Sequence, residues 1–371
     1  MKAIGIILAG GNNNRMKELT AKRAVPALPV AGSFRSIDFA LSSMSNSHIQ
    51  TVAVLTQYNA RSLNEHLSSS KWWNFGRKQG GLFLFTPTVT ADNSDWYRGT
   101  ADAMYQNIDF LKRRHEPYVI ISSGDCVYKL DFNRVLDFHI EKKSDITVVC
   151  KDMMYNDDVS RFGVVRMDDE SRITEFDEKP IEALSNTIST GIYVIRRRQL
   201  IELLEAAAEE NRFDFVNDIL VRYKNVKKIY GYKINSYWNN IADIDAYFKT
   251  NMDFLRPDVR SYFREEPTIC SKVDDLPPAK FNPGSDISNS LVSSGCIING
   301  SVEDSVLFKQ VFVGKNTTVK NCVILNDVYI GDNVHLENCI VESRGTINPN
   351  TCYCGEDGVM IVKEKNVRYV I

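Results

Sequence analysis

No run of apolar residues in this chain is long enough to span a bilayer, which removes a membrane-spanning helix from consideration. Met1-Lys2 passes straight into a β-branched apolar segment without the layout of a secretory leader, so a cytoplasmic chain is expected. Net charge is also missing. Against 47 Asp and Glu stand 45 Lys and Arg, and the resulting −2 gives no electrostatic footing for nucleic acid or an anionic membrane. Histidine is scarce, five in 371 residues with no HxxxH grouping, and a zinc site is not expected. The eight cysteines contain no CxxC pair and lie dispersed, which reads as free, buried thiols rather than a disulfide framework. Cys352-Tyr353-Cys354 is the one close pair, open to metal binding or redox response.

What is present is ordinary for a soluble protein, 25% charged and 43% hydrophobic, at a length that suggests about two domains. Up to residue 255 strand-like and helix-like segments alternate. Candidate strands are Ala3–Leu8, Thr51–Leu55, Tyr118–Ser122, Ile146–Cys150, Gly163–Arg166 and Gly191–Ile195; candidate helices are Ala101–Arg114, Phe132–Lys142 and Arg198–Glu209. This predicts an α/β domain with a mostly parallel sheet covered on both faces and ligands at the carboxyl ends of its strands. Residues 256–285 hold Pro257, Pro267, Pro277, Pro278 and Pro283 and read as an irregular linker. From 286 to 371 apolar positions recur in steps of 17, as in Cys296, Val313, Ile330 and Ile347, in Val302, Val319 and Leu336, and in Val306, Val323 and Ile340. Seventeen is near three hexapeptides, the coil of a parallel β-helix. Acyltransferases built on such coils need a catalytic histidine, for which the repeat offers only His335.

Chemistry concentrates in Ile6-Ile7-Leu8-Ala9-Gly10-Gly11-Asn12-Asn13-Asn14-Arg15, a buried strand feeding a tight turn with a nearby cation. Backbone amides and an arginine in such a turn can hold a polyphosphate, although three asparagines obstruct the close approach that bare glycines allow. Elsewhere the reading stays open. Asp125 alone is as well a turn cap, Glu178-Lys179-Pro180 a solvated loop, and Trp72-Trp73 with Phe75 a packed cluster.

Together, Leu8-Ala9-Gly10-Gly11, Lys22-Arg23-Ala24, Phe34 to Ser42, Trp96 to Ala103, Ser123-Gly124-Asp125, Phe162-Gly163-Val164, Glu178-Lys179-Pro180 and Leu276 to Phe281 resemble bacterial ADP-glucose pyrophosphorylase (glucose-1-phosphate adenylyltransferase) over nearly the whole chain. The resemblance implies a Rossmann-like nucleotidyltransferase domain joined to a left-handed β-helix, and a role in making ADP-glucose for glycogen. Active members let glucose 1-phosphate attack the α-phosphorus of ATP, using a glycine loop, cations and two carboxylates that hold Mg²⁺. By that resemblance Gly10, Gly11, Arg15, Gly99 and Thr100 are the nucleotide-binding remnant. Tyr97, Gly163, Glu178, Lys179 and Ser189 fall where the family contacts glucose 1-phosphate, and Asp218 is also kept.

The departures fall on the phosphate and metal side. Asn13 and Asn14 replace a glycine and threonine, Val25 replaces a phosphate lysine, and Asn239 and Asn240 replace an arginine and the second metal aspartate; Asp125 survives as a remnant metal ligand. The implied chain resembles the non-catalytic, regulatory D-type subunit, which works with a catalytic subunit in a hetero-tetramer and does not hold Mg²⁺ productively. The alternative is an active adenylyltransferase in which Asn13, Asn14, Lys17 or Lys22 substitutes for the lost groups, and a third reading is a stand-alone sugar-phosphate sensor. Lys22, Arg23 and Arg35 match a region that participates in effector response in relatives.

Overall fold

The computed structural model describes residues 2–11, 14–76, 80–89, 96–154 and 157–364. Its first domain is built on a sheet in the order 173–178, 163–167, 187–196, 118–123, 3–8, 51–55, 81–85, with 146–152 pairing both 187–196 and 229–233. All strands but Ile173–Glu178 and Thr187–Arg196 run the same way. Ala3–Leu8 lies in the middle, parallel to both neighbours, and its near-continuous apolar run is what a strand covered on two faces needs. Alternation divides the strand residues between two cores. Ile7, Val52, Val54 and Ile120 pack with the helix Ser36–Asn46, while Ile4, Ile6, Val119 and Ile121 pack with Thr100–Gln106 and Arg197–Glu209.

Three expectations need correction here. The candidate helix 101–114 is two helices, Thr100–Gln106 and Ile108–Lys112, because Asn107 leaves helical geometry and bonds Ala103 O and Tyr97 Oη, each at 2.9 Å. The strand expected at 191–195 extends from Thr187 to Arg196, with an irregularity between Ser189 and Tyr193 where Gly191 takes φ 74°. The stretch 256–285 is not uniformly irregular. Pro257 opens the helix Pro257–Arg264 at its first position, where a missing amide costs nothing, and Lys280–Phe281 already forms a rung of the second domain.

That second domain is a left-handed parallel β-helix of three five-stranded parallel sheets. Val302, Val319 and Leu336 stack in register, as do Val306, Val323 and Ile340. Val313 stacks on Ile298, 15 residues before it, and Ile298 on Phe281, 17 before it, so the series expected at Cys296 runs through Ile298 because one early coil is two residues short. Corners are held by asparagines in the left-handed region. Asn316, Asn333 and Asn350 have φ 54°, 57° and 61°, and each side-chain amide reaches the next, at 3.3 and 3.0 Å. Asn321 and Asn338 repeat the device at 3.2 Å.

The domains share one apolar cluster, in which Val306, Phe308, Val323, Leu325 and Ile340 of the solenoid meet Phe39, Tyr247, Phe254, Val259 and Phe263. Arg23 adds a polar tie, its Nη2 lying 2.5 Å from Glu342 Oε1. Trp73 is buried with its indole donating to Cys270 O at 3.0 Å, so the Trp72-Trp73 motif is structural packing. No helix among the described residues is long and apolar enough to cross a membrane.

One buried group gives the first domain a pH dependence. His139 sits inside, Nδ1 paired with Thr147 Oγ1 at 2.8 Å and Nε2 without a partner among the described residues. Burial chiefly, then the charge of Arg196, pushes its imidazole down from 6.5 to about 4. The unfolded chain therefore binds this proton first, and the stabilisation present above pH 6.5 is lost as pH falls through 4. The full effect is at most about 3 kcal/mol. Denaturant titrations at several pH values should show this decline, and His139→Gln should flatten it; an unchanged slope in that variant contradicts the assignment.

Candidate active site

The site forms where Ala3–Leu8 and Tyr118–Ser123 end side by side. Gly124 N donates to Leu8 O at 3.0 Å, and the chain turns so that Asp125 stands just beyond the sheet. The next strand, Cys126–Tyr128, pairs antiparallel with Trp238–Asn240 and sets Cys126 opposite Asn240. Ile241 N donates to Asp125 O at 3.0 Å. Two residues far apart in sequence, Asp125 and Asn240, are thereby brought together.

Neither presents a free metal ligand pair. Ser123 Oγ donates to Asp125 Oδ1 at 2.5 Å, and the Cys126 thiol approaches the same oxygen at 3.4 Å. Burial first, then the Asp125 charge, drives that thiol far up, so it stays a neutral donor. Asn240 is 9% exposed; its Oδ1 accepts from Ala242 N at 3.0 Å and its Nδ2 points to Cys126 Sγ at 3.4 Å. Asn239 is turned away to Thr250 Oγ1 at 2.7 Å. Among the described residues no three His, Cys, Asp or Glu side chains at this place could share an ion.

The segment before the first helix leans on the same turn. A Cβ on Gly124 would meet Pro26 and Ile7 at 3.2 Å, so Val25-Pro26 lies against it. Val25 is 4% exposed and belongs to an apolar cluster with Met16, Leu19, Val127 and Ile241. Valine here is core, not an empty phosphate position. On the loop, Gly10 packs against Gln57, 3.2 Å from its virtual Cβ, while Gly11 is open. Asn13 lies outside the described residues; Asn14 opens the turn Asn14–Thr20, where Arg15, Lys17 and, just beyond, Lys22 are exposed.

Gly99 and Thr100 serve a joint. Phe213 O, 2.3 Å from a Cβ at Gly99, takes the amides of Ala101 and Asp102 at 2.8 and 3.2 Å, and Thr100 Oγ1 accepts from Phe215 N at 2.9 Å. Asp218 stabilises that loop, accepting from Phe213 N and Asp214 N at 3.0 and 2.9 Å. These amides are occupied from within the chain.

The remaining wall is preformed. Gly163 pairs with Glu178, and the Glu178 Oε2 sits 2.9 Å from where a Cβ would be, so any side chain at 163 displaces the carboxylate. Lys179, at φ 51°, folds its Nζ to 2.9 Å from Glu178 Oε1. Ser189 Oγ donates to Tyr193 Oη at 3.3 Å, and burial, with Glu178 and Asp214 adding to it, raises the Tyr193 phenol. Tyr97 shares the apolar cluster of Tyr193 and Phe176 and takes a hydrogen bond from Asn107 at 2.9 Å.

Sequence reasoning missed three participants. Gln57 accepts from Tyr97 N at 2.6 Å and packs on Gly10, coupling the two walls. Tyr193 had no motif. Arg161, one residue before the Phe162-Gly163-Val164 segment, is ion-paired with Asp243 and close enough to Arg15 to feel its charge. Its position beside a matched motif was the available signal.

The chain matches the family described as nucleotidyl transferase over residues 4–256 and the GlmU-like, C-terminal hexapeptide family over 277–361. Curated relatives are similar across both domains. A glucose-1-phosphate adenylyltransferase of Clostridium novyi is 38% identical over 85% of this chain and 84% of its own length. Proteins of the same description from Pseudothermotoga lettingae and Clostridium acetobutylicum are each 40% identical, covering 86% and 85% of this chain and 76% and 84% of theirs.

Proposed function

We propose that this chain, which belongs to the glucose-1-phosphate adenylyltransferase family, is a catalytically impaired member that regulates a catalytic subunit. One observation carries the reading: the place beside Asp125 where a second carboxylate would complete a cation site holds Asn240, its amide engaged with Ala242 and Cys126. The nucleotidyltransferase family generally uses Mg²⁺. A single carboxylate whose Oδ1 already accepts from Ser123 does not fit that ion's demand for a full oxygen shell.

The sugar-phosphate wall supports a sensing role. Glu178 matches sugar hydroxyls and Lys179 a phosphate, both held by strand ends rather than by loose loops. Binding there would bias a subunit interface without chemistry in this chain, since a contact that favours one of two states is sufficient. In calorimetry, glucose 1-phosphate should bind the parent, and Lys179→Ala should weaken binding by about 10–100-fold, the worth of a charge-assisted hydrogen bond.

The decisive experiment mixes the chain with a catalytic glucose-1-phosphate adenylyltransferase subunit. A co-eluting hetero-oligomer whose substrate affinity or effector response differs from that of the catalytic subunit alone is the expected result. Absence of a complex, or a complex indistinguishable from the catalytic subunit, would refute the proposal.

A further inference from the structure

Outside this cleft, the end of the solenoid sets four metal-ligating side chains on one outer face. His335–Glu337 and Cys352–Cys354 are adjacent rungs of one parallel sheet, with His335 opposite Cys352 and Glu337 opposite Cys354. Leu336 is fully buried and Tyr353 packs against the same core, so alternation sends the other four outward together. Ligand atoms of His335, Glu337 and Cys354 lie within 4.8 Å of one another.

We infer that His335, Glu337, Cys352 and Cys354 form a zinc site that clips the last coil of the β-helix. Three of the donors already stand together, and Cys352 lies beside Cys354 at the edge of that group. Cys352 Sγ and Cys354 Sγ are 3.6 Å apart, against about 3.8 Å for two sulfurs at Zn–S distances of about 2.3 Å. His335 Nε2 and Glu337 Oε2 are 3.5 Å apart, against about 3.3–3.4 Å for nitrogen and oxygen ligands. Two soft thiolates with an imidazole select zinc over magnesium or calcium, and four protein donors make a closed, structural site. Lys320, stacked on Glu337, is drawn instead toward Glu303 at 3.4 Å, which leaves the Glu337 carboxylate to the cluster.

A disulfide is the competing chemistry for the two thiols. Residues two apart in an extended strand stand about 6.6 Å apart at Cα, near the limit of about 6.8 Å for a bridge. Oxidation would therefore bend the rung, whereas a metal asks only that the exposed Cys352 side chain turn toward the other three donors. The location gives the clip a purpose. Cys352–Cys354 is the end strand of its sheet among the described residues, so one of its edges is left without a neighbouring rung there. Scarcity of histidine in the sequence concealed the site, because its members meet only through the 17-residue register.

The test uses the full-length reduced chain, stripped with chelator, loaded with Zn(II) and dialysed. About one zinc per chain should remain, and Co(II) in its place should give thiolate charge-transfer and tetrahedral ligand-field absorption. The double variant Cys352→Ser, Cys354→Ser should lose both the metal and the absorption. His335→Ala, which leaves both thiols, should weaken Zn(II) binding by more than about 100-fold, beyond the loss of an outer-shell partner. Circular dichroism like the parent's verifies that each variant is folded. Failure to retain zinc, cobalt absorption persisting in the double variant, or two thiols lost to mild oxidation in a chain that binds no zinc would each overturn the assignment.

Discussion

Supplied with ATP, glucose 1-phosphate and Mg²⁺, the purified chain alone is expected to form ADP-glucose at no more than about one ten-thousandth of the rate of a catalytic relative. Loss of one preorganised charge-stabilising group typically costs about 10²–10³ in rate. Here the second carboxylate, the lysine and the arginine of the family pattern are Asn240, Val25 and Asn239. Such groups act as a unit, so the penalties do not simply multiply, but even two acting together reach the stated level. Neither Asn239 nor Val25 is placed to stand in for the group it replaces. Asn239 is committed to Thr250, and Val25 is inside an apolar cluster. A rate within tenfold of the catalytic relative's would defeat this reading.

Restoring the lost groups should separate two kinds of change. Asn240→Asp keeps the acceptor that Ala242 N already uses and gives up only a weak contact to a thiol, so it should fold. It should then show Mg²⁺-dependent stabilisation by ATP that the parent lacks, about 2.7 kcal/mol at a hundredfold excess over Kd. Val25→Lys must place an ammonium among Met16, Leu19, Val127 and Ile241, and it should lower stability unless the amine reaches Asp125. The valine has been absorbed into packing. The asparagine has not.

How much of this was legible beforehand depended on whether a signal was local. Ala3–Leu8 and Thr51–Leu55 announced themselves to the residue, because a central strand must be apolar throughout. The solenoid is legible from its period, yet the period assigns Cys296 to a stack that Ile298 occupies, because an apolar residue also stands 17 before Val313. The helix Pro257–Arg264 does carry a local signal, proline at its first position, which the surrounding prolines hide, whereas the break at Asn107 depends on the partners its side chain finds. In the site, the family resemblance pairs Asp125 and Asn240 as the two metal positions, but the strand pair that joins these distant segments is not legible locally. The residues from Phe34 to Ser42 were read as a family signature; their work is joinery. Arg35 N donates to Asp38 Oδ2 at 2.7 Å, Asp38 Oδ1 holds His66 at 2.7 Å, Ser36 Oγ donates to Gly124 O at 2.9 Å, and Ser42 Oγ accepts from Cys270 N at 2.9 Å.

Phe39→Ala, in the middle of that signature, is expected to cost about 3–5 kcal/mol of stability, among the largest single effects in the chain. Phe39 is fully buried, with ring centroids 5.5 Å from Phe34, 6.2 Å from Phe254 and 5.3 Å from Phe263. Removing it takes away the transfer energy of the ring and leaves a hollow that three aromatic neighbours, each fixed by its own element, cannot close. Because the same cluster includes Val323 and Ile340 of the solenoid, the damage should reach both domains. All four tryptophans lie in the first domain, so their fluorescence reports that domain, while far-ultraviolet circular dichroism reports both. In the parent the two probes should lose signal together in denaturant, and in Phe39→Ala both midpoints should fall together. If only the tryptophan midpoint moved, the solenoid would be an independent unit and the shared cluster a contact without coupling. If neither midpoint moved by an amount equivalent to about 1 kcal/mol, the hollow would have collapsed and the aromatic joint would not be what holds the two domains to one another.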